Sequence, residues 1–302
     1  MKKVIFLLIL LTAGISSFAQ PVDRKLNLKL QTLVKGFNGE VGIYVQNLKT
    51  GRTASFNADT IFPTASMVKV PIMVGVLNEI EKGNLKYNQE LTYRDSLLYE
   101  GEDILGSFKD GEKIKLSKVQ MLSITTSDNT GSLWLQKLVG GENINNWLEA
   151  NGFEKTRVNS RTPGRRPDWE VYGWGQTTPR EMARLTVMIR EGKAVSEAAS
   201  ERMYRNLIRI YYDAEALSQI PPYVQAASKS GAVDQARSEV VLVNAPHGDY
   251  VFCITTKNQK DTSWTQQNEG YTLIRNLSAL LWSYYEPKSQ WKPAKGIEKY
   301  AE

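Results

Sequence analysis

β-Strand patterns stand at both ends of this chain and helical patterns fill its middle, and that order constrains the fold more than any other feature. The run EVGIYVQNLKTGRTASF, from Glu40, alternates apolar and polar residues around a Lys49-Thr50-Gly51 turn and reads as a hairpin. Strand signals return at 224–230, 239–244 and 250–256, the last two joined by the hairpin loop Ala245-Pro246-His247-Gly248-Asp249. Between them, 66–82, 117–126, 130–138, 143–151 and 179–191 carry helical periodicity, separated by turns rich in Gly, Asn and Asp. An amphipathic helix in DRKLNLKLQTLVKGF precedes the first hairpin, and 271–285 predicts a closing helix. A sheet whose two halves lie so far apart along the chain must close in space, with the helical block inserted as a second lobe. A cleft between the lobes is where a site is expected.

The chain opens MKKVIFLLILLTAGISSFAQ, with Lys2 and Lys3 before a short apolar run and small residues at Ser17 and Ala19. That layout predicts a signal peptide over 1–19, cleaved near Ala19, and export to a periplasmic or extracellular destination. No cysteine follows the cleavage site to carry a lipid and no later segment is long and apolar enough for a membrane helix, so stable membrane insertion is not expected. The expected domain is 20–302, with a helical lobe over about 64–192 set into a lobe made of 20–63 and 193–285, and a polar tail over 286–302. The formal charge of +6 is spread along the chain without the clustered basic and aromatic residues of a nucleic-acid surface, so no nucleic-acid partner is expected.

Scarce residues narrow the chemistry. Cys253 is the one cysteine, which excludes an intramolecular disulfide, and its YVFCITT setting reads as a buried strand with an inert thiol. His247 is the one histidine. A zinc site built on several histidines is excluded, and a Ser-His-Asp triad would have to use a residue whose setting is a hairpin tip.

Ser66 lies three residues before Lys69 at the head of an apolar helical run, PTASMVKVPIMVGVL. Residues three apart share one helix face, so the amine would sit near the hydroxyl, and the first-turn N–H groups favour a developing oxyanion. Pro71 predicts a local distortion of the second turn. Ser-x-x-Lys alone is expected about once in a chain of this size, and a second copy stands at Ser289 and Lys292. Two further triplets decide the matter: Ser127-Asp128-Asn129 at a break between helices, and Lys229-Ser230-Gly231 at the end of an apolar strand. Each is expected on the order of 0.1 times per chain, before order and element type are required. A lysine can serve as base near neutrality if its pKa falls from about 10.4 to 7 or 8, which takes roughly 4 kcal/mol; burial beside a second cation such as Lys229 can supply that. Asp128 reads as the cap of the helix that follows it.

The trio, with SDNTGSLWLQKLVGGENINNWLEANG and TTPREMARL, resembles the penicillin-recognising serine hydrolases, and its spacing is most similar to the class A β-lactamases. The resemblance implies an α+β fold: a three-layer αβα sandwich with an antiparallel sheet, plus the inserted helical lobe. It implies that Ser66 is the acylated nucleophile, Lys69 its base, and Ser127 the shuttle returning a proton to the leaving nitrogen. Asn129 would hold the substrate amide and Lys69, and Lys229 and Ser230 the substrate carboxylate. The N–H groups of Ser66 and of Ala232, after Gly231, would form the oxyanion hole. The substrate would be a β-lactam or a D-alanyl peptide, and no motif requires a metal or an organic cofactor. The family's loop glutamate is not matched: spacing puts Thr162 near its place, and Glu170 is the one glutamate over 159–176. Glu170 either enters the site or pairs with Arg161, Arg165 or Arg166 on the loop; Arg237 either helps bind a carboxylate or is a surface charge. Three activities stay open on these residues: a β-lactamase using Glu170 or Lys69 for deacylation, a D-alanyl peptidase-like enzyme, or a protein that is acylated and stays so.

Overall fold

The structure, a computed structural model, describes residues 20–99 and 103–300; the expected signal peptide over 1–19 lies outside the described residues. In chain order the elements are α1 (Arg24–Leu33), β1 (Glu40–Asn47), β2 (Thr53–Phe56), β3 (Phe62–Pro63), a 3₁₀ turn over Ala65–Val68, α2 (Lys69–Glu81), β4 (Glu90–Thr92), β5 (Lys113–Lys115), α3 (Leu116–Thr125), α4 (Asn129–Val139) and α5 (Gly141–Ala150). They continue as β6 (Arg157–Val158), α6 (Arg166–Tyr172), β7 (Gly175–Thr177), α7 (Pro179–Arg190), α8 (Glu197–Leu207), β8 (Ala226–Val233), β9 (Ala236–Val243), β10 (Tyr250–Lys257) and α9 (Glu269–Tyr285).

The principal sheet runs β2-β1-β10-β9-β8, and every pairing within it is antiparallel. Its two halves meet where β1 pairs with β10, from Glu40 opposite Lys257 to Asn47 opposite Tyr250. Strand alternation separates two cores. Ile43, Val45, Val241, Val243, Phe252 and Ile254 pack on the α1 and α9 side. Tyr44, Val240, Leu242, Val251 and Cys253 pack on the other side with the residues of α2 to α5, α7 and α8. This is the α+β, three-layer arrangement that the sequence implied, with a helical lobe beside it.

α2 is the axis of that lobe. From Lys69 to Leu77 every residue is buried, so the helix is wrapped on all sides and shows no single apolar stripe. Gly75 exists for contact: a Cβ there would lie 2.6 Å from Ile144 Cγ1 of α5. Pro71 does not break the helix. It is the third residue of α2, just after the passage from 3₁₀ to α geometry, where its missing N–H costs one bond at the start of the helix.

Two helices escape the periodicity argument. α8 has buried residues at Ala199, Ser200, Met203, Asn206 and Leu207, of which two are polar, so its apolar signal is thin. α6 lies inside the expected long loop and buries none of its residues, so no apolar stripe marks it. Among the described residues no helix is long and apolar enough to cross a membrane.

Candidate active site

β8 is an edge strand of the sheet, so one row of its backbone groups is free to face something other than a strand. The 3₁₀ turn carrying Ser66 packs against the cleft-side face of this strand, leaving the free edge to the cleft. The approach is possible only because residue 231 is glycine: a Cβ there would stand 2.6 Å from Thr64 O and 2.7 Å from Ser66 N. The backbone entering the turn is itself strained, with Ala65 at φ 44°. Ser66 lines a cleft of about 700 Å³ together with Asn129 and Ala232. Tyr99, Trp169 and Trp174 form an aromatic wall of the same cleft, with Tyr99 and Trp174 in edge contact at 5.0 Å between ring centroids.

Two amines converge beneath it. Lys69 is 0% exposed and Lys229 1%. Lys69 Nζ lies 3.0 Å from Ser127 Oγ and donates to Asn129 Oδ1 at 2.7 Å and to the Ser127 carbonyl. Lys229 Nζ lies 3.1 Å from the same Ser127 Oγ and donates to the Ser230 carbonyl at 2.9 Å. One hydroxyl therefore touches both amines, across three separate stretches of chain. Ser127 holds that position in left-handed backbone, at φ 55°. The turn is anchored by Asp128, which caps α4 by accepting from Gly131 N at 2.6 Å and also accepts from Leu105 N at 2.9 Å.

Electrostatics follow from burial. Desolvation pushes Lys69 well below the usual lysine range, and the charge of Lys229 pushes it further. Lys229 is lowered by burial to about 8, against the pull of Glu239. Glu239 lies on the opposite face of the sheet, where it accepts from Ser228 Oγ at 2.6 Å and Ala216 N at 2.9 Å, and burial raises it to about 7.

Two expected residues are elsewhere. Arg237 does not reach the cleft. It sits one register step from the inward-facing Ser238, so strand alternation sends its side chain to the far face, 0% exposed. There its guanidinium donates to the carbonyls of Val233, Ala236 and Ser263 and stacks on Trp264 and Tyr271. It is neither a carboxylate ligand nor a surface charge. Glu170 takes the other of its two readings: it accepts from Arg166 Nε at 2.8 Å in an i,i+4 pair, its side chain 58% exposed. Its neighbours Trp169 and Val171 line the cleft, and it does not. Asp168 pairs with Arg165 at 3.1 Å, and Thr162 is buried against Gly141. Gly231 stands against the turn and Ala232 lines the cleft, with Ser230 before them on the strand. Ser238, whose hydroxyl reaches Thr64 O and Gly231 O, is not visible in the sequence, because serine inside an apolar strand carries no signal of what it faces.

The β-lactamase enzyme family matches residues 25–285. The chain is 27% identical to the β-lactamase VEB-1 of Pseudomonas aeruginosa, over 86% of this chain and 90% of that one. It is 26% identical to a Bacillus licheniformis β-lactamase, over 82% of each. Among solved structures, a point mutant of PBP-A, as an acyl-enzyme complex with penicillin G, superposes at a TM-score of 0.79, with 25% identity, over 89% of this chain and 98% of that one. An ancestral class A β-lactamase shares the fold at a TM-score of 0.75 and 21% identity, over 86% of this chain and the whole of that one. A match that runs from the first helix to the end of the last one leaves no part of the principal sheet outside it: the chain belongs to the β-lactamase enzyme family and is a serine hydrolase of that type.

Proposed function

We propose that the enzyme opens β-lactam rings through an ester on Ser66, with Lys69 as the base for both halves of the reaction. The observation that carries this reading is the convergence of two buried amines on Ser127 Oγ, one of them on the helix that begins three residues after Ser66. Burial holds Lys69 toward its neutral form, in which it can accept the Ser66 proton. Ser66 Oγ then bonds to the lactam carbonyl carbon while the carbonyl oxygen gathers charge between the N–H groups of Ser66 and Ala232. As the ring C–N bond breaks, the nitrogen takes a proton from Ser127, which recovers one from the neighbouring ammonium groups. Lys229, charged below about pH 8, attracts the substrate carboxylate. Water completes the cycle by attacking the ester carbonyl and passing its proton to Lys69, which returns it to Ser66 Oγ as the acyl C–Oγ bond breaks.

A second reading has its own support: both loop carboxylates are tied to arginines, so water lacks a carboxylate base from that loop. Slow ester hydrolysis, and a D-alanyl peptide as a further substrate, suit that arrangement. Export to the periplasm or beyond rests on the leader over 1–19, and an exported enzyme of this kind would protect a cell from penicillins.

The test is to incubate the purified protein with benzylpenicillin while following ring opening and intact mass. Many turnovers with a transient adduct, both abolished by Ser66→Ala, are expected. A single lasting adduct moves the assignment to a penicillin-binding protein, D-alanine released from a peptide moves it to a peptidase, and no adduct at all ends it.

A further inference from the structure

We infer that Ser238 is the positioning residue of the oxyanion hole, a role that rests on the acyl-enzyme reading above. Ser238 is buried on the cleft-side face of β9, directly opposite Gly231 of β8. Its hydroxyl lies 3.1 Å from Gly231 O and 3.2 Å from Thr64 O, donating its one proton between them. These carbonyls belong to the two segments that the hole needs. Gly231 O is in the same rigid peptide plane as Ala232 N–H, pointing the opposite way, so a donor fixed on the carbonyl fixes the direction of the N–H. The same bond polarises the amide and makes the N–H a stronger donor. Thr64 O lies just before the strained Ala65 and also accepts from Met67 N at 3.0 Å, so it orients the turn that presents Ser66 N–H.

The space around the hydroxyl has no slack. A Cβ on residue 231 would stand 2.9 Å from Ser238 Oγ as well as 2.6 Å from Thr64 O. Glycine lets the two backbones approach, and the serine hydroxyl fills the remaining polar gap and ties them. Without it, Thr64 O keeps Met67 N, but the hydrogen bonds that tie Gly231 and Thr64 to one hydroxyl are lost, and the two N–H groups lose their common reference. Donor misplacement by a fraction of an ångström costs rate without costing binding.

The test compares the wild type with Ser238→Ala and Ser238→Cys, the latter keeping an atom in place with only a weak donor. With benzylpenicillin, Ser238→Ala is expected to acylate about tenfold more slowly while the dissociation constant of the initial complex stays within about twofold. The ester carbonyl band of the acyl-enzyme in the infrared moves to higher wavenumber, reporting a less polarised carbonyl, and Ser238→Cys lies between on both measures. Thermal melting verifies that each variant is folded; should Ser238→Ala not fold, Ser238→Cys carries the same comparison. An unshifted carbonyl band in a folded variant overturns the role, whatever happens to the rate, because it means that the oxyanion donors keep their places without the hydroxyl. A wild type that takes no adduct sinks the reading of the whole site instead.

Discussion

Lys229 shows what the site costs the protein at the level of one side chain. Buried and lowered to about 8 from 10.5, it binds its proton less readily in the folded chain than in the unfolded one. The unfolded state therefore holds more protons between those values, and stability rises with pH across that window; below pH 8 the full penalty, about 3 kcal/mol, is present. Lys229→Met is expected to raise unfolding stability at pH 7 by up to about 3 kcal/mol and by much less at pH 10, measured by urea titration at both, while acylation collapses. In the wild type the same group loses its charge as pH passes 8, so kcat/KM for an anionic penicillin should fall on that limb; a flat profile to pH 10 would remove Lys229 from carboxylate binding. Ser66, Lys69, Ser127 and Lys229 are legible in the sequence because the chemistry proposed for them requires particular residue types at particular spacings. The place of Arg237 is not, because strand parity around a tight hairpin cannot be counted until the register is known, and one step reverses the face.

Among the elements, the β8 edge and the α6 loop set the reaction in different ways. Gly231→Ala would push a methyl within 2.6 Å of the Thr64 carbonyl, which is backbone and cannot swing aside. Acylation is expected to fall at least about a hundredfold with the fold retained, read by stopped-flow mixing with a chromogenic cephalosporin. α6 turns its glutamate outward into an i,i+4 pair with Arg166, so Glu170→Gln should leave both adduct formation and adduct loss within about twofold of wild type and stability within about 0.5 kcal/mol. A slowed loss of adduct in that variant would put Glu170 back into deacylation. The main helices of the lobe are readable to within about three residues because apolar residues recur along them at helical spacing, although α2 and α4 are buried on all sides for much of their length. α6 is not, since a short exposed helix held by arginine pairs and a proline start leaves no periodic trace.

At the scale of the molecule, the far layer behind the sheet is a separate problem of stability. Arg237 is held there by three carbonyls and two aromatic rings. Arg237→Met should leave those carbonyls short of donors and lower stability by about 3 kcal/mol, seen in thermal unfolding, while folded protein acylates at the wild-type rate. The overall architecture is legible because strands at both ends of a chain have few ways to share a sheet, whereas the assignment of each face to a layer waits for the pairings. Those pairings also govern timing. β1 has β2 beside it early, but its other neighbour is β10, roughly two hundred residues further on, and Lys229 arrives with the same late segment. Until a ribosome reaches the last quarter of the chain, Ser66 is made but Lys229 and the β8 edge are not, so the proposed site can assemble only late in synthesis rather than growing with the polypeptide.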